Sequence, residues 1–453
     1  MTAFQDSDEE SGEGCPFCFG EESTAALPEA VDEDTAFLTE FLDSHEADLA
    51  GLTQELIGID SQNPPGTTRD IIEYIEQFAN ALGVQSELIV ADDSRPNLLI
   101  TLPGETETTL LYKGHVDTIP YDRDAWTYDP LGERDGDRIY GRGATDMKGA
   151  VAAMLHTVRA YAETGTVPPV TLQFALVSDE ETTGAAGLPA LLDRGRLTAD
   201  ACLVGETTCE AGAHSVTIAD KGSIWLTLEA TGTAAHGSRA PLGENAIDRL
   251  IAAVTAIQDR LVQVDLALAD DVVPIVEESV SFYAPRMDEE TAWRLFTAPT
   301  VNLGTLHGGG AIDRVPETAM AELDVRLTAS VDTPSILARI EEVLDGYPSV
   351  EIADVSWSMG TYEPFDSPLV GATARIAETV VGEPVHRRSA TGGGAKTLRD
   401  EGVPTVEFAF GSDTAHAADE YTTTGALRKN AEVFAKLPFG FAALTDQVDS
   451  TRD

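Results

Sequence analysis

The stretch TLLYKGHVD, residues 109–117, joins a short apolar segment to two side chains that can bind or orient a metal ion. TLLYKG has the length and composition of a buried strand, and His115 and Asp117 follow it directly. The same pattern recurs in VTLQFALVS (170–178), which runs into Asp179, Glu180 and Glu181, and in ACLVG (201–205), which runs into Glu206. Functional groups in open α/β sheets collect just beyond the carboxyl ends of strands, so the sequence predicts a site at this edge.

Predicted helices alternate with these predicted strands. NLLITL (97–102) is a further short strand, and helices are predicted over residues 146–165 and near 184–194. Before them, apolar residues recur at helical spacing from residue 34 to 59 and again from about residue 68 to Gly83. This alternation predicts an α/β fold of the doubly wound type, with helices on both faces of the sheet.

The middle of the chain has a different pattern. SIWLTLEATG (223–232) and TAMAELDVRLTA (318–329) alternate apolar and polar residues, as strands with one solvated face do. Amphipathic helices are predicted between and after them. We therefore expect an acidic leader at 1–30, a catalytic domain formed by 31–213 and 358–453, and an inserted α+β domain at 214–357.

The charge of the chain is strongly negative. Its 453 residues include 78 acidic and 29 basic side chains, which gives a net charge of −49. Such a surface repels nucleic acid and anionic membranes, and neither is expected as a partner. It fits a protein that stays dissolved in concentrated salt, so we predict a halophilic source. The first residues contain no apolar signal segment, and no apolar run is long enough for a membrane span, so we expect a cytoplasmic protein.

The cysteines and one glycine-rich segment suggest chemistry that the remaining sequence does not support. Cys15 and Cys18 form a lone CxxC pair, and no second pair completes a zinc ribbon. ATGGGAKT (390–397) is similar to a phosphate loop, but alanine rather than glycine precedes Lys396. We therefore do not expect nucleotide binding.

Asp146, which heads a predicted helix, and His416, in the loop GSDTAHAADEY (411–421), extend the set of candidate ligands. Carboxylates and imidazoles without thiolates suit zinc, cobalt or manganese. Two histidines and three carboxylates can hold two ions if one carboxylate bridges them. Such a site also needs a base, and in the adjacent pair Glu180 and Glu181 one residue can bind metal while its neighbour stays available.

The ordered set of motifs resembles the M20 metallopeptidase family, over roughly residues 35 to 446. It consists of GHVDTIP (114–120), YGRGATDMKGA (140–150), SDEETTG (178–184), VGET (204–207), GTAAHGS (232–238) and the late His416. The resemblance implies two divalent metal ions, most simply Zn²⁺, with Asp146 as the bridge. His115 and Glu206 would complete one metal position, and Glu181 and His416 the other. Glu180 would be the general base, and Asp117 would orient the imidazole of His115.

The resemblance also implies roles for the inserted domain. His236 would enter the active site of a partner subunit and stabilise the oxyanion, which requires a homodimer formed through this domain. Arg326 would bind the substrate carboxylate with its planar guanidinium.

Two positions depart from the pattern of the family. Asp313 stands where members often carry an asparagine, so an amide donor is replaced by an acid. Lys396 stands close to the place of a common aspartate, after the turn that contains Gly393 and Gly394. We predict that Asp313, Gly393, Gly394 and Lys396 form part of the substrate-binding wall and that Lys396 pairs with a second negative group on the substrate. The alternatives are a shifted loop at Asp313 and a register shift that points Lys396 to solvent.

These features predict a metal-dependent amidohydrolase that cleaves an N-acyl amino acid, as deacetylases and desuccinylases do. The alternatives within enzymes are a dipeptidase or carboxypeptidase, or an aminopeptidase of the related M28 type. A non-catalytic binding protein on the same scaffold is disfavoured because every expected ligand and the base are present. A serine hydrolase is disfavoured because the chain contains no GxSxG sequence.

Overall fold

The structure is a computed structural model that describes residues 29–182, 184–390 and 394–452. Most of the predicted leader, including Cys15 and Cys18, lies outside the described residues, and so does Gly393. Among the described helices, none is long and apolar enough to cross a membrane.

Strands are distributed along most of the described chain. In chain order they are β1 (Gln85–Ile89), β2 (Asn97–Leu102), β3 (Thr106–His115), β4 (Glu133–Asp135), β5 (Arg138–Tyr140), β6 (Val170–Val177), β7 (Ala201–Val204), β8 (Ser215–Asp220), β9 (Gly222–Thr231), β10 (Thr300–Gly308), β11 (Thr318–Leu327), β12 (Val350–Ser358), β13 (Thr361–Tyr362), β14 (His386–Ala390), β15 (Thr405–Glu407) and β16 (Tyr421–Thr423).

Helices precede, separate and follow these strands. In chain order they are α1 (Glu29–Asp34), α2 (Ala36–Ser44), α3 (Glu46–Gly58), α4 (Arg69–Ala81), α5 (Lys148–Thr164), α6 (Leu188–Asp193), α7 (Ala246–Leu261), α8 (Val273–Tyr283), α9 (Glu289–Thr297), α10 (Thr333–Leu344), α11 (Pro368–Val381), α12 (Gly394–Asp400) and α13 (Thr424–Arg452).

The largest sheet has the order β1-β2-β6-β3-β7-β15-β8-β13, with β14 paired to β8. Its centre is parallel: β3 pairs in parallel with β6 and β7, and β15 pairs in parallel with β7. Its margins are antiparallel, at β1 and β2 on one side and at β8 and β13 on the other. The carboxyl ends of β6, β3, β7 and β15 therefore meet at one edge.

Helices cover both faces of this sheet, which confirms the predicted α/β class. Successive side chains of a strand point to opposite faces. Leu110 and Tyr112 of β3 thus join the core that includes α5 and α13, whereas Leu111 joins a smaller core with α6 and α12. Lys113 alternates with Tyr112, so it is directed to the α6 and α12 side.

The second sheet has the order β10-β11-β9-β12 and is antiparallel throughout. One face of β9 buries Ile224, Leu226 and Leu228 in a core shared with α7 and α10, while Trp225 and Glu229 on the other face are exposed. This half-solvated sheet is the α+β unit anticipated from the alternating sequence pattern.

The chain crosses between the two sheets at Gly222 and Gly360. A Cβ added to Gly222 would lie 2.8 Å from the amide nitrogen of Gly360, and one added to Gly360 would lie 2.7 Å from the carbonyl oxygen of Asp220. Only glycine permits such a close approach of two backbones. The expected boundary at residue 214 lies before β8. Because β8 hydrogen-bonds within the large sheet, the second sheet begins one strand later, at β9.

The segment predicted as one helix from residue 34 to 59 is divided into α2 and α3, and a further short helix, α1, precedes it. The breaks fall at Thr35 and His45, whose ψ angles of 2° and 21° depart from helical values. At the second break, Nδ1 of His45 lies 2.9 Å from the carbonyl oxygen of Phe41. A side chain competes there for a backbone carbonyl, which hydrophobic periodicity does not reveal.

Candidate metal centre

The first set of candidate ligands surrounds His115, the last residue of β3. Its Nε2 lies 3.1 Å from Oδ1 of Asp146 and 3.2 Å from Oε1 of Glu206. Asp146 lies just before α5, and Glu206 follows β7. The carboxyl ends of neighbouring strands and the start of one helix thus bring these three side chains together.

The second set surrounds His416, in the loop between β15 and β16. Its Nε2 lies 3.0 Å from Oδ2 of Asp146 and 3.2 Å from Oε2 of Glu181. Asp146 therefore directs one carboxylate oxygen to each histidine. The two donor sets share a single residue, and that residue is the one predicted to bridge.

The donor set fits divalent metal ions. Two atoms bound to one zinc ion at about 2.0–2.1 Å in tetrahedral geometry lie about 3.3 Å apart, close to the four separations found here. Three carboxylates and two imidazoles also create a negative potential that favours cations. The same potential acts on His416, because hydrogen bonds to Asp146 and Glu181 raise the pKa of its imidazole to about 10. His115, Asp146 and Glu181 alone already place one ligand atom each within 4.8 Å of one another.

A buried carboxylate, Glu420, holds the loop that carries Asp146. Its Oε1 accepts from the amides of Thr145 and Asp146 at 2.9 and 3.0 Å, and its Oε2 accepts from Arg142 at 2.5 Å. Arg142 also donates to the main-chain oxygen of His416 at 3.3 Å. One carboxylate–guanidinium pair therefore ties the loop of the shared ligand to the loop of the second histidine.

Asp117 has a broader set of contacts than the one predicted. Nδ1 of His115 lies 2.9 Å from the main-chain oxygen of Asp117 and 3.6 Å from its carboxylate. The carboxylate accepts instead from the amides of Glu180 and Glu181, at 3.2 and 3.1 Å, and from Nδ2 of Asn63 at 2.9 Å. Asp117 therefore orients the imidazole through its backbone and fixes the loop of the predicted base through its side chain.

Lys113 is a buried cation beneath this site. Its side chain is inaccessible to solvent, and its Nζ has no hydrogen-bond partner among the described residues. Burial alone would lower the pKa of Lys113, but the negative charges of Glu180, Glu206 and Glu407 outweigh burial and raise it. We therefore expect Lys113 to be charged and to balance part of the carboxylate cluster.

The predicted residues of the inserted domain lie on exposed surfaces. His236 is exposed, and its Nδ1 lies 2.8 Å from Oγ of Ser238. Asp313 is exposed as well, and its carbonyl oxygen accepts from the amide of Gly237 at 2.6 Å, so the two loops are adjacent. Arg326 is only half-buried on the same side of the second sheet as Trp225, and its Nε donates to Asp324 at 2.7 Å. Their substrate and oxyanion roles stay predictions.

Lys396 lies near the crossing between the sheets. Its ammonium donates to the carbonyl oxygen of Met359 and is 3.9 Å from Asp400 on the same helix. Gly394, the first residue of α12, borders Lys113 instead: a Cβ there would lie 2.6 Å from the lysine Nζ. The contact of Lys396 with substrate stays a prediction, because in this structure its ammonium is directed to Met359 and Asp400 of the same chain.

Several supporting residues were missed from the sequence: Asn63, Lys113, Arg142 and Glu420. Three of them lie inside segments quoted above, Lys113 in TLLYKGHVD (109–117), Arg142 in YGRGATDMKGA (140–150) and Glu420 in the loop of His416, whereas Asn63 lies in SQNPPG (61–66). An acidic side chain close to a predicted ligand is the signal that could have identified Glu420.

The fold and the donor set together define a metal-dependent hydrolase that acts on amide or peptide bonds. The family model described as "Peptidase family M20/M25/M40" matches residues 111–439, and the chain belongs to this family. This finding confirms the family inferred from the motifs.

Two curated relatives are named for related activities. A Staphylococcus epidermidis protein named "Probable succinyl-diaminopimelate desuccinylase" is 27% identical over 396 residues, covering 83% of this chain and 93% of the relative. An acetylornithine deacetylase of Vibrio campbellii is 26% identical over 353 residues, covering 76% and 84%. Among solved structures, an M20 family metallo-carboxypeptidase from Sulfolobus solfataricus superimposes with a TM-score of 0.71 at 21% identity, over 87% of this chain and 99% of that one. This last likeness supports the fold alone.

Proposed function

We propose that this chain hydrolyses the amide bond of an N-acylated amino acid with two divalent metal ions. The observation that carries the proposal is the position of Asp146, whose two oxygens each face a different histidine. His115 and Glu206 would hold one ion, and Glu181 and His416 the other. Zn²⁺ suits these ligands best, and Co²⁺ or Mn²⁺ would also fit.

The bound ions would lower the pKa of a water molecule and polarise the substrate carbonyl. Glu180 would take the proton of the attacking water as the new C–O bond forms. It would then give this proton to the nitrogen as the C–N bond breaks, so that an amine and a carboxylic acid form, and the acid passes its remaining proton to the amine or to solvent. The backbone of Glu180 is fixed by Asp117, and its neighbour Glu181 is a ligand, which keeps the base next to the metal position.

The inserted domain would complete the site from a second copy of the chain. The side chain of His236 hydrogen-bonds to Ser238 in its own loop. Two exposed apolar side chains lie close by, one later in the same loop and one in the adjacent loop of Asp313. Leu242 is 74% exposed, and Ile312, beside Asp313, is fully exposed. Exposed apolar residues beside a predicted catalytic histidine favour a homodimer in which this surface is covered.

The substrate would carry a carboxylate for Arg326. The names of the two relatives favour an acetyl or succinyl group on the amino nitrogen. A second acidic group, as in a succinyl substrate, would require Lys396 to leave the carbonyl of Met359.

The test is a panel of N-acetyl amino acids, N-succinyl amino acids and dipeptides, assayed with added zinc, cobalt or manganese in molar KCl. The high salt follows from the net charge of −49 and the proposed halophilic source. We expect turnover of acylated amino acids that a chelator abolishes and added metal restores. Cleavage of dipeptides alone would replace the proposal with a dipeptidase or carboxypeptidase, and turnover in excess chelator would refute the metal-dependent reaction.

A further inference from the structure

Asn63 lies between two buried aspartates. Its Nδ2 donates to Oδ2 of Asp117 at 2.9 Å and to Oδ1 of Asp179 at 3.0 Å. The three side chains are 4%, 0% and 2% exposed, so water does not screen the two carboxylates from each other. An amide NH₂ group has two hydrogens, and here each one meets a different carboxylate.

Asp179, the aspartate farther from the candidate ligands, is also held by groups other than Asn63. Oδ1 of Asp179 also accepts from Arg95 at 2.7 Å and from Oγ1 of Thr182 at 3.0 Å, and Oδ2 accepts from the amide of Ala186 at 3.2 Å. Arg95 is in turn paired with Asp92 at 2.9 Å. The guanidinium is shared between Asp92 and Asp179, so it offsets only part of the negative charge of Asp179.

Asp117, the other aspartate, contacts the backbone of the predicted catalytic residues. Asp117 accepts from the amides of Glu180 and Glu181, and Asp179 directly precedes Glu180 in the chain. Asp179 has a φ of +62°, in the left-handed region that a non-glycine residue adopts only at a cost. Both ends of the Asn63 bridge therefore act on the same turn, one through hydrogen bonds and one through the backbone.

We infer that Asn63 is a positioning residue that holds the Glu180–Glu181 turn in its working geometry by bridging Asp117 and Asp179. The inference rests on the proposed function, since it takes Glu180 as the base and Glu181 as a metal ligand. Two buried carboxylates without a shared donor repel each other, and the turn is the part of the chain that can relax. Asn63 does not touch the reacting atoms in this scheme, so its loss would disturb the base and one ligand and leave substrate binding intact.

The test compares Asn63→Leu with Asn430→Leu. Asn430 is also buried, and within the described part of the chain its amide bonds the main chain of Phe410 alone, so this control removes a buried asparagine without affecting a charged pair. For Asn63→Leu we expect kcat to fall about 10–100-fold with KM within about twofold of the original value. Equilibrium dialysis against Zn²⁺ should show one of two bound equivalents weakened about tenfold or more. Asn430→Leu should lower Tm while kcat and both metal equivalents are kept.

A second variant separates repulsion from a loss of packing. Asp179→Asn in the Asn63→Leu background removes one charge and supplies a new amide that can face Asp117, so it should regain part of the lost kcat. If Asn63→Leu does not fold, Arg95→Met, at the partly exposed outer end, should show the same kcat and metal changes at smaller size. Wild-type kcat and metal binding in Asn63→Leu, or changes no different from those of Asn430→Leu, would overturn the inference. If the unsubstituted protein hydrolyses no acylated amino acid, the proposed function fails, while the zinc measurement still decides the role of Asn63.

Discussion

The large sheet and the second sheet differ in how firmly one chain fixes the residues predicted to act in the site. At the edge of the large sheet, His115 and Asp117 are almost fully buried, and hydrogen bonds fix the loops of the candidate ligands. Near the second sheet, His236 and Asp313 are exposed and contact chiefly their own adjacent loops. The contrast indicates that the candidate metal ligands are fixed within one chain, whereas the proposed roles of His236 and Asp313 at the substrate depend on what covers this surface.

The largest expected effect is on the shared ligand. Asp146→Asn leaves one carbonyl oxygen in place of two carboxylate oxygens, so the two donor sets lose their common member. We expect bound zinc to fall from two equivalents to one or fewer, and kcat/KM to fall more than about a thousandfold, because the metal ions contribute several kcal/mol to the barrier reduction. Metal analysis after dialysis, with exposed Asp354→Asn as control, measures this. Two retained equivalents would show that Asp146 is not the bridge.

The next effect distinguishes the adjacent glutamates. Glu180→Gln should lower kcat by about 10²–10⁴-fold with metal content unchanged, since only the proton acceptor is removed. Glu181→Gln should instead weaken one zinc equivalent, because this side chain faces His416. Steady-state kinetics and zinc analysis on both variants separate the roles. Metal loss in Glu180→Gln together with full occupancy in Glu181→Gln would reverse the two assignments.

A smaller effect tests the exposed His236. His236→Ala should reduce kcat about 10²–10³-fold if the imidazole stabilises the oxyanion. In a dimer that exchanges this residue, a mixture of His236→Ala and Glu180→Gln chains forms heterodimers with one intact site each. Random reassortment should restore activity at about a quarter of all sites. A mixture that stays inactive after subunit exchange has been verified would argue that each chain uses its own histidine, or none.

The same contrast explains what could be predicted from the sequence. His115, Glu181 and Glu206 were predictable because they follow apolar strands whose carboxyl ends meet at one edge of a parallel sheet. The residues that hold these ligands were not predicted. Glu420 accepts from Thr145, 275 positions earlier, and Asn63 reaches Asp179, 116 positions later. Nothing in hydrophobic periodicity encodes which distant polar side chains will meet.

The smallest effect concerns His156, a buried polar side chain without a hydrogen-bond partner among the described residues. His156 is buried in α5, and both ring nitrogens are without a hydrogen-bond partner in the described part of the chain. Burial, followed by the charge of Arg159, lowers the pKa of His156 to about 4, below its usual value near 6.5. As the pH falls through 6.5 the unfolded chain takes up this proton first, so folding stability is lost between about pH 6.5 and pH 4 and the loss levels off below that range.

His156→Leu should remove this loss, which is at most about 3 kcal/mol. Urea unfolding of both proteins at pH 7 and pH 4.5 measures the difference, with His307→Leu on the exposed edge strand as control. Parallel pH dependence in the wild type and His156→Leu would mean that the ring finds a partner or water when the protein is acidified.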